Sequence, residues 1–321
     1  MPNLRQYEMK VLYRPDSPEL RFLPEGPYPY GNAGQLSWVA IQHSATSTTG
    51  SLNVLDIPTG TNRRYRLPGR PGFAFSAGRP GLFVMGLERN LQLFDNYANT
   101  FTPLTDEFDT GVSGTVINDA VAFFGGLVIG CKDLQFAEQK AGLYLYRWSD
   151  QQLIQLRNDQ TCSNGKIIVG HGDQVRLLDI DTPTKTVVEY TLDVPTGKLG
   201  APRVVLDLTS GTDFPDGMIA SPDGESVIIS FYNPHDAPHG ETRQYHLASG
   251  AVEAIWTTPL APQATCPQLI RYEGQIKLVV TTAVEHMSLE RQAAHRNSGC
   301  LFIGDTEFTE LPETPLAVRN E

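Results

Sequence analysis

The chain reads as an all-β protein, a six-bladed β-propeller with four-stranded antiparallel blades, on three observations. Short runs of alternating or β-branched apolar residues recur in pairs from end to end. No segment sustains a helical period with caps, and Met287 to Ala294 is only mildly helix-friendly, within a loop. Six marker residues, Glu25, Gly72, Asn118, Asn164, Asp216 and Pro267, recur 46 to 52 residues apart, each followed by three or four strand-like runs. A period of that length with several strands per repeat is the signature of propeller blades. A chain of 321 residues, 40% hydrophobic and 19% charged, with 29 Gly and 23 Pro, fits one closed all-β domain over 1–321 without a linker.

The elements follow in order. Glu8 to Tyr13 precedes the first repeat and is left over, so it predicts a strand that closes the ring with the last blade. Leu36 to Ile41 and Ser51 to Asp56 are the first paired runs; Gly81 to Gly86 and Leu91 to Asp95 repeat the pattern. Leu127 to Gly130 pairs with Gly142 to Tyr146, and Val175 to Asp179 with Thr186 to Tyr190. Ser226 to Ser230 precedes Thr242 to Leu247, and Ile276 to Val280 precedes Cys300 to Ile303. Pro222-Asp223-Gly224, between two apolar runs, reads as a plain hairpin tip. The same tripeptide at Pro215-Asp216-Gly217 falls on the long period, and that sets it apart. In each blade the marker would lie on the innermost strand, at the mouth of the central channel.

Four markers, Glu25, Asn118, Asn164 and Asp216, carry oxygen ligands: two carboxylates and two carboxamides. Each alone reads as a turn residue; four in phase with a repeat read as a site. Oxygen ligands without thiolate or imidazole suit one hard divalent cation, Ca²⁺ before Mg²⁺, Mn²⁺ or Zn²⁺. Such an ion suits hydrolysis, because it polarises a carbonyl or phosphoryl oxygen and lowers the pKa of a bound water. Asp216 is the candidate general base or nucleophile, and Glu25 the purely structural ligand.

The motifs Pro24-Glu25-Gly26-Pro27, Ile117-Asn118-Asp119, Gly142-Leu143-Tyr144, Ser163-Asn164-Gly165 and Pro215-Asp216-Gly217-Met218, in that order and spacing, give a resemblance that covers nearly the whole chain. It resembles the senescence-marker-protein/gluconolactonase/luciferin-regenerating family. That resemblance implies a six-bladed propeller with a divalent ion bound by Glu25, Asn164 and Asp216, and Asn118 beside it directly or through water. It also implies lactone hydrolysis with Asp216 as acid/base, on a small-molecule lactone. The chain departs from the family pattern where substrate is held. The sugar-binding Arg of the sugar-lactone members corresponds to Val116, and their nearby acidic contact maps to Lys132 to Gln135, where only Asp133 is acidic. The Gly that follows Asn-Asp in the family is Ala120. Rival readings are phosphotriester hydrolysis on the same metal site, and a non-catalytic propeller that binds calcium or a partner.

Other constellations read more plainly. His235 and His239 are four apart, but the prolines around them exclude a helix that would align them; they read as rim contacts to substrate, as does His43. Arg63, Arg64, Arg66 and Arg70 read as a solvated hairpin edge, and a net charge of −11 argues against nucleic acid as a partner. No Gly-x-Ser-x-Gly elbow or Walker-type loop occurs. Cys131, Cys162, Cys266 and Cys300 are scattered and read as reduced thiols of a cytoplasmic protein. No secretory signal is seen, and no apolar run approaches the roughly 20 residues that cross a bilayer. A closed propeller leaves no edge strand in need of a partner, so the expectation is a monomer or weak homo-oligomer.

Overall fold

Six meander sheets carry the chain in the computed structural model, which describes residues 4–31 and 34–312. Strands β1 (Arg5–Glu8) and β2 (Lys10–Tyr13) and the single-turn helix α1 (Pro18–Arg21) come first. Then follow β3 (Pro24–Pro29), β4 (Gln35–Ala40), β5 (Ser51–Asp56) and β6 (Thr61–Arg66). The next four are β7 (Pro71–Ser76), β8 (Leu82–Leu87), β9 (Asn90–Asp95) and β10 (Thr100–Pro103). They lead into β11 (Thr115–Phe123), β12 (Gly126–Asp133), β13 (Ala141–Arg147) and β14 (Leu153–Gln160). The fourth group is β15 (Ser163–Val169), β16 (Gln174–Asp181), β17 (Thr186–Asp193), β18 (Lys198–Leu199) and β19 (Arg203–Asp207). Next are β20 (Phe214–Ala220), β21 (Ser226–Tyr232), β22 (His239–His246) and β23 (Val252–Pro259). The last are β24 (Ala264–Tyr272), β25 (Gln275–Thr282), helix α2 (Leu289–Ala294) and β26 (Leu301–Asp305).

Contacts divide these into two compact units. The first, Met1–Arg70 with Gly211–Glu313, holds the sheets β3–β6, β20–β23 and β24–β26. The second, in its described residues Pro71–Ser210, holds β7–β10, β11–β14 and β15–β18, with β19 paired on β17. Strands consecutive within each sheet pair antiparallel, and β1 is an added parallel strand on β23. The expected leftover strand splits in two at Met9, whose side chain is buried and whose amide donates to the Thr257 carbonyl. β2 pairs antiparallel with β26 in the last sheet, and β1 pairs parallel with β23.

Burial grades across each sheet. The second strands are buried along almost their whole length, β8 without interruption, and therefore read as continuous apolar runs. The fourth strands β6, β10 and β14 are half exposed, so polar residues alternate along them. Trp38, Ile270, Val279 and Leu301 pack together inside the first unit, and Val128, Leu143, Leu177 and Leu192 inside the second. The helices arise from capping: Ser17 and Ser288 each accept an amide of the first turn, and Pro18 opens α1 where no N–H is needed. Among the described residues no helix is long and apolar enough to cross a membrane.

Candidate functional site

All six markers lie on the first strand of their sheet, on β3, β7, β11, β15, β20 and β24. At each one the pairing of first to second strand slips in register, for example between Ile117 and Ala120 and between Pro215 and Met218. A bulge of this kind re-aims a side chain out of the pleat. Gly72 has a different role, that of close approach. A Cβ on Gly72 would stand 2.3 Å from the Asn118 carbonyl oxygen, so only glycine lets β7 and β11 pack as they do.

In the second unit the structure brings Asn118 and Asn164 together. Asn118 Nδ2 donates to Asn164 Oδ1 at 2.7 Å and to the Ser163 carbonyl at 2.9 Å. Asn164 Nδ2 donates in turn to Thr182 Oγ1 at 2.7 Å. Both side chains are buried, and Cys162 Sγ lies beneath them, 3.6 Å from Asn164 Nδ2. Each carboxamide is thus held through its NH₂ group, which fixes where its oxygen points. Asn118 Oδ1 accepts no hydrogen bond among the described residues, and Asn164 Oδ1 keeps a lone pair beyond the one it offers Asn118. Carboxamide oxygens left in that state suit a hard cation.

Behind the pair lies a buried ion network that sequence reasoning did not find. Lys166 donates to the Asn164 carbonyl, and its ammonium stands 3.9 Å from Asp119 Oδ2 and 4.0 Å from Asp179 Oδ1. Burial pushes the Asp179 carboxyl up, opposed by Lys166 and by a hydrogen bond from Gln160. Lys166 and Asp179 lie 13 residues apart on neighbouring strands, and nothing in either local sequence announces the pairing.

In the first unit Glu25 is half buried on β3 and Asp216 buried on β20. Between those strands runs β24: Thr265 Oγ1 donates to the Pro24 carbonyl at 2.8 Å, and a Cβ on Gly217 would lie 2.8 Å from Cys266 Cα. Tyr232, which the sequence reading passed over, lies near Asp216. Its hydroxyl donates to the Glu285 carbonyl at 2.9 Å, and burial, then the charges of Glu285 and Asp216, push its pKa far up.

The remaining candidates have partners of their own. Asp133 is buried and committed to its own loop, accepting the amides of Ala137, Glu138 and Gln135 and facing Lys140 at 3.3 Å. Burial alone would raise its pKa; those donors bring it down to about 2. His43 sits over the outer strands of the first sheet, 3.2 Å from Ser51 Oγ and 3.2 Å from an Arg64 nitrogen, and burial followed by Arg64 lowers its pKa. Arg64 and Arg66 close on Glu19 of α1, and Arg64 is partly buried there, whereas a solvated hairpin edge was expected of it. His239 faces Glu241 at 3.5 Å, whereas His235 is exposed and engaged through its backbone to Asn233 and Arg291. Among the described residues no three His, Cys, Asp or Glu side chains gather at metal-binding distance; a set of two carboxylates and two carboxamides needs no such group.

The order of strands and the markers on them define the class: a six-bladed β-propeller. Residues 23–284 match the SMP-30/gluconolactonase/LRE-like region, and the chain belongs to that family. Regucalcin from Agrobacterium tumefaciens, a calcium-binding protein, shares the fold at a TM-score of 0.78 with 20% identity, over 97% of this chain and 100% of that one. A luciferin-regenerating enzyme superposes at 0.77 with 15% identity, over 93% and 96%. A Bacillus subtilis (strain 168) protein, YvrE, provisionally named a sugar lactone lactonase, is 25% identical over 197 residues, 60% of this chain. The match spans 63% of that relative's length.

Proposed function

We propose that this protein is a divalent-cation-dependent lactonase that opens the ring of a small lactone to the hydroxy acid. The observation that carries the reading is the carboxamide pair Asn118 and Asn164, oriented by Ser163 and Thr182 with the Asn118 oxygen left unbonded, in a chain of this family. Glu25, Asn164 and Asp216 would hold the cation, Ca²⁺ first, and Asn118 would assist directly or through water. When bound, the ion supplies a Lewis acid for the lactone carbonyl and a lowered pKa for water. Asp216 accepts the proton of the attacking water and returns it to the ring oxygen as the C–O bond breaks. Glu25 contributes charge and takes no part in proton transfer. The four free, buried cysteines support the reading of a cytoplasmic protein.

The test is hydrolysis of a lactone panel by metal-stripped protein with Ca²⁺, Mg²⁺, Mn²⁺ or Zn²⁺ restored, and calorimetric titration of Ca²⁺ into the wild type and Asn164→Ala. The expected result is cation-dependent turnover and at least ~10-fold weaker Ca²⁺ binding in the variant, by analogy with lost ligand contacts. Stoichiometric cation binding without turnover on any lactone would overturn the lactonase reading in favour of phosphotriester hydrolysis or a binding scaffold.

A further inference from the structure

A cavity of about 340 Å³ opens in the second unit, between β14 and one face of the fourth sheet. Arg157 and Gln160 line it from β14, Asp179 and Asp181 from β16, Tyr190 from β17 and Val204 from β19. Asp179 and Asp181 are alternate residues, which a strand turns to one face. The volume is that of a small-molecule pocket and about ten times a water's share of the liquid. Neither Asn118 nor Asn164 lines it, so it is a second place on this unit.

Its charges do not balance. Arg157 is already committed: Nε donates to Asp159 Oδ1 at 2.8 Å and Nη1 to the Tyr190 hydroxyl, with the guanidinium over the Tyr190 ring. Lys166 stands behind, shared between Asp119 and Asp179. Asp181 enters no ion pair among the described residues; the amides of Thr161 at 3.1 Å and Cys162 at 2.8 Å hold it. The carboxylates of Asp119, Asp159, Asp179 and Asp181 thus share two cations. Burial pushes the Asp179 and Asp181 carboxyls up, opposed first by Lys166 at Asp179 and by the Cys162 amide at Asp181.

A second observation points the same way. Gln160 is fully buried, and its Nε2 donates to Asp179, which fixes the carboxamide. Its Oε1 is buried and accepts no hydrogen bond. Acceptors left so are rare in folded proteins and costly. What the cavity leaves open therefore suits a partner that donates N–H groups and carries positive charge. Val188, Pro202 and the 57% exposed Val204 add apolar surface to the same wall. A bare metal ion would leave most of this space empty and would crowd the Lys166 ammonium, 4.0 Å from Asp179 Oδ1.

We propose that this cavity binds a small organic ammonium compound, a primary amine on a short hydrocarbon body. Asp181 and Gln160 Oε1 accept its N–H groups, and Val188, Pro202 and Val204 receive the body. The site goes beyond the lactonase reading and does not depend on it.

The experiment is calorimetric titration of n-hexylammonium, and of neutral 1-hexanol with the same chain, into the wild type, Asp181→Asn and Gln160→Met. Both substitutions nearly keep the native side-chain volume, and an unchanged Tm checks the fold. The expected result is 1:1 binding of n-hexylammonium, ~10-fold or more tighter than 1-hexanol, and weakened ~10-fold in each variant, the loss that a hydrogen bond to a charged group carries. No binding of n-hexylammonium at ~10 mM, equal binding of 1-hexanol, or an affinity unmoved in both variants would overturn the inference. Amide NMR of the wild type locates the site without any substitution. Shifts at Cys162 and Tyr190 on adding n-hexylammonium support it, and shifts confined to other residues overturn it.

Discussion

The tripeptide Pro-Asp-Gly occurs twice within ten residues and meets two fates. At Pro222-Asp223-Gly224 it turns between β20 and β21: Gly224 takes φ 70° with open space around it, and exposed Asp223 accepts the Glu225 amide at 3.0 Å. At Pro215-Asp216-Gly217 it lies inside β20, at a slip in register, with Asp216 buried and Gly217 pressed against the β24 backbone. Glycine serves conformation in one copy and proximity in the other. Aspartate serves an exposed turn in one copy and is buried on a first strand in the other. Local sequence makes a turn possible in both places, and neighbours decide which one uses it.

The largest separation between the two copies is expected in turnover. Asp216→Asn should lower kcat by ~10²–10⁴ with the fold retained, whereas Asp223→Asn should leave it within about twofold. Lactone hydrolysis alongside circular dichroism of both variants reads this directly, and equal losses would end the distinction. Stability should separate the glycines next. Gly217→Ala drives a methyl into the Thr265 and Cys266 backbone, which cannot retreat as a flexible side chain would, and should cost about 2–3 kcal/mol in urea denaturation. Gly224→Ala meets no atom and suffers only its left-handed backbone, about 1 kcal/mol.

Asp133 sharpens the contrast from the side of pH. Its carboxyl is held at about 2, below an ordinary value of 3.8, so it stabilises the fold above pH ~4 and that contribution disappears as pH falls towards ~2. Denaturation midpoints of wild type and Asp133→Asn should differ by about 2 kcal/mol at neutral pH and converge in acid. Asp223, exposed at its hairpin tip, should show a far smaller convergence. A constant offset across pH would mean that Asp133 acts through shape and not charge.

The period was legible because six blades impose the same first-strand geometry on residues as unlike as Glu25, Gly72 and Pro267, and a repeat survives even when its members differ. Strand existence was legible for the same reason that β8 is buried throughout: a buried strand must be apolar along its length. What local sequence could not disclose was partnership at a distance. Thr182 orients Asn164 from 18 residues away, and Lys166 is balanced by Asp119 and Asp179 on two different strands. Asp133 was read as a substrate contact, and its amide donors come from a loop whose path the sequence does not spell out. The short helix α2 was underestimated, since its stability resides in one serine cap and not in a hydrophobic face.

The strands on either side of Met9 carry a consequence for how the chain is made. Arg5 pairs across from Ala254 and Lys10 across from Ile303, so two sheets wait for partners roughly the whole length of the polypeptide away. At ribosomal speeds of ~5–20 residues per second, these strands stay unpaired for tens of seconds during synthesis. Loop closure over that separation makes their docking a late step, after the interior sheets have formed. Until then the outer edges of β23 and β26 stand open to other chains. A nascent or refolding molecule is therefore most prone to aggregate through its last two blades, and a short N-terminal peptide supplied in trans would cap both edges at once.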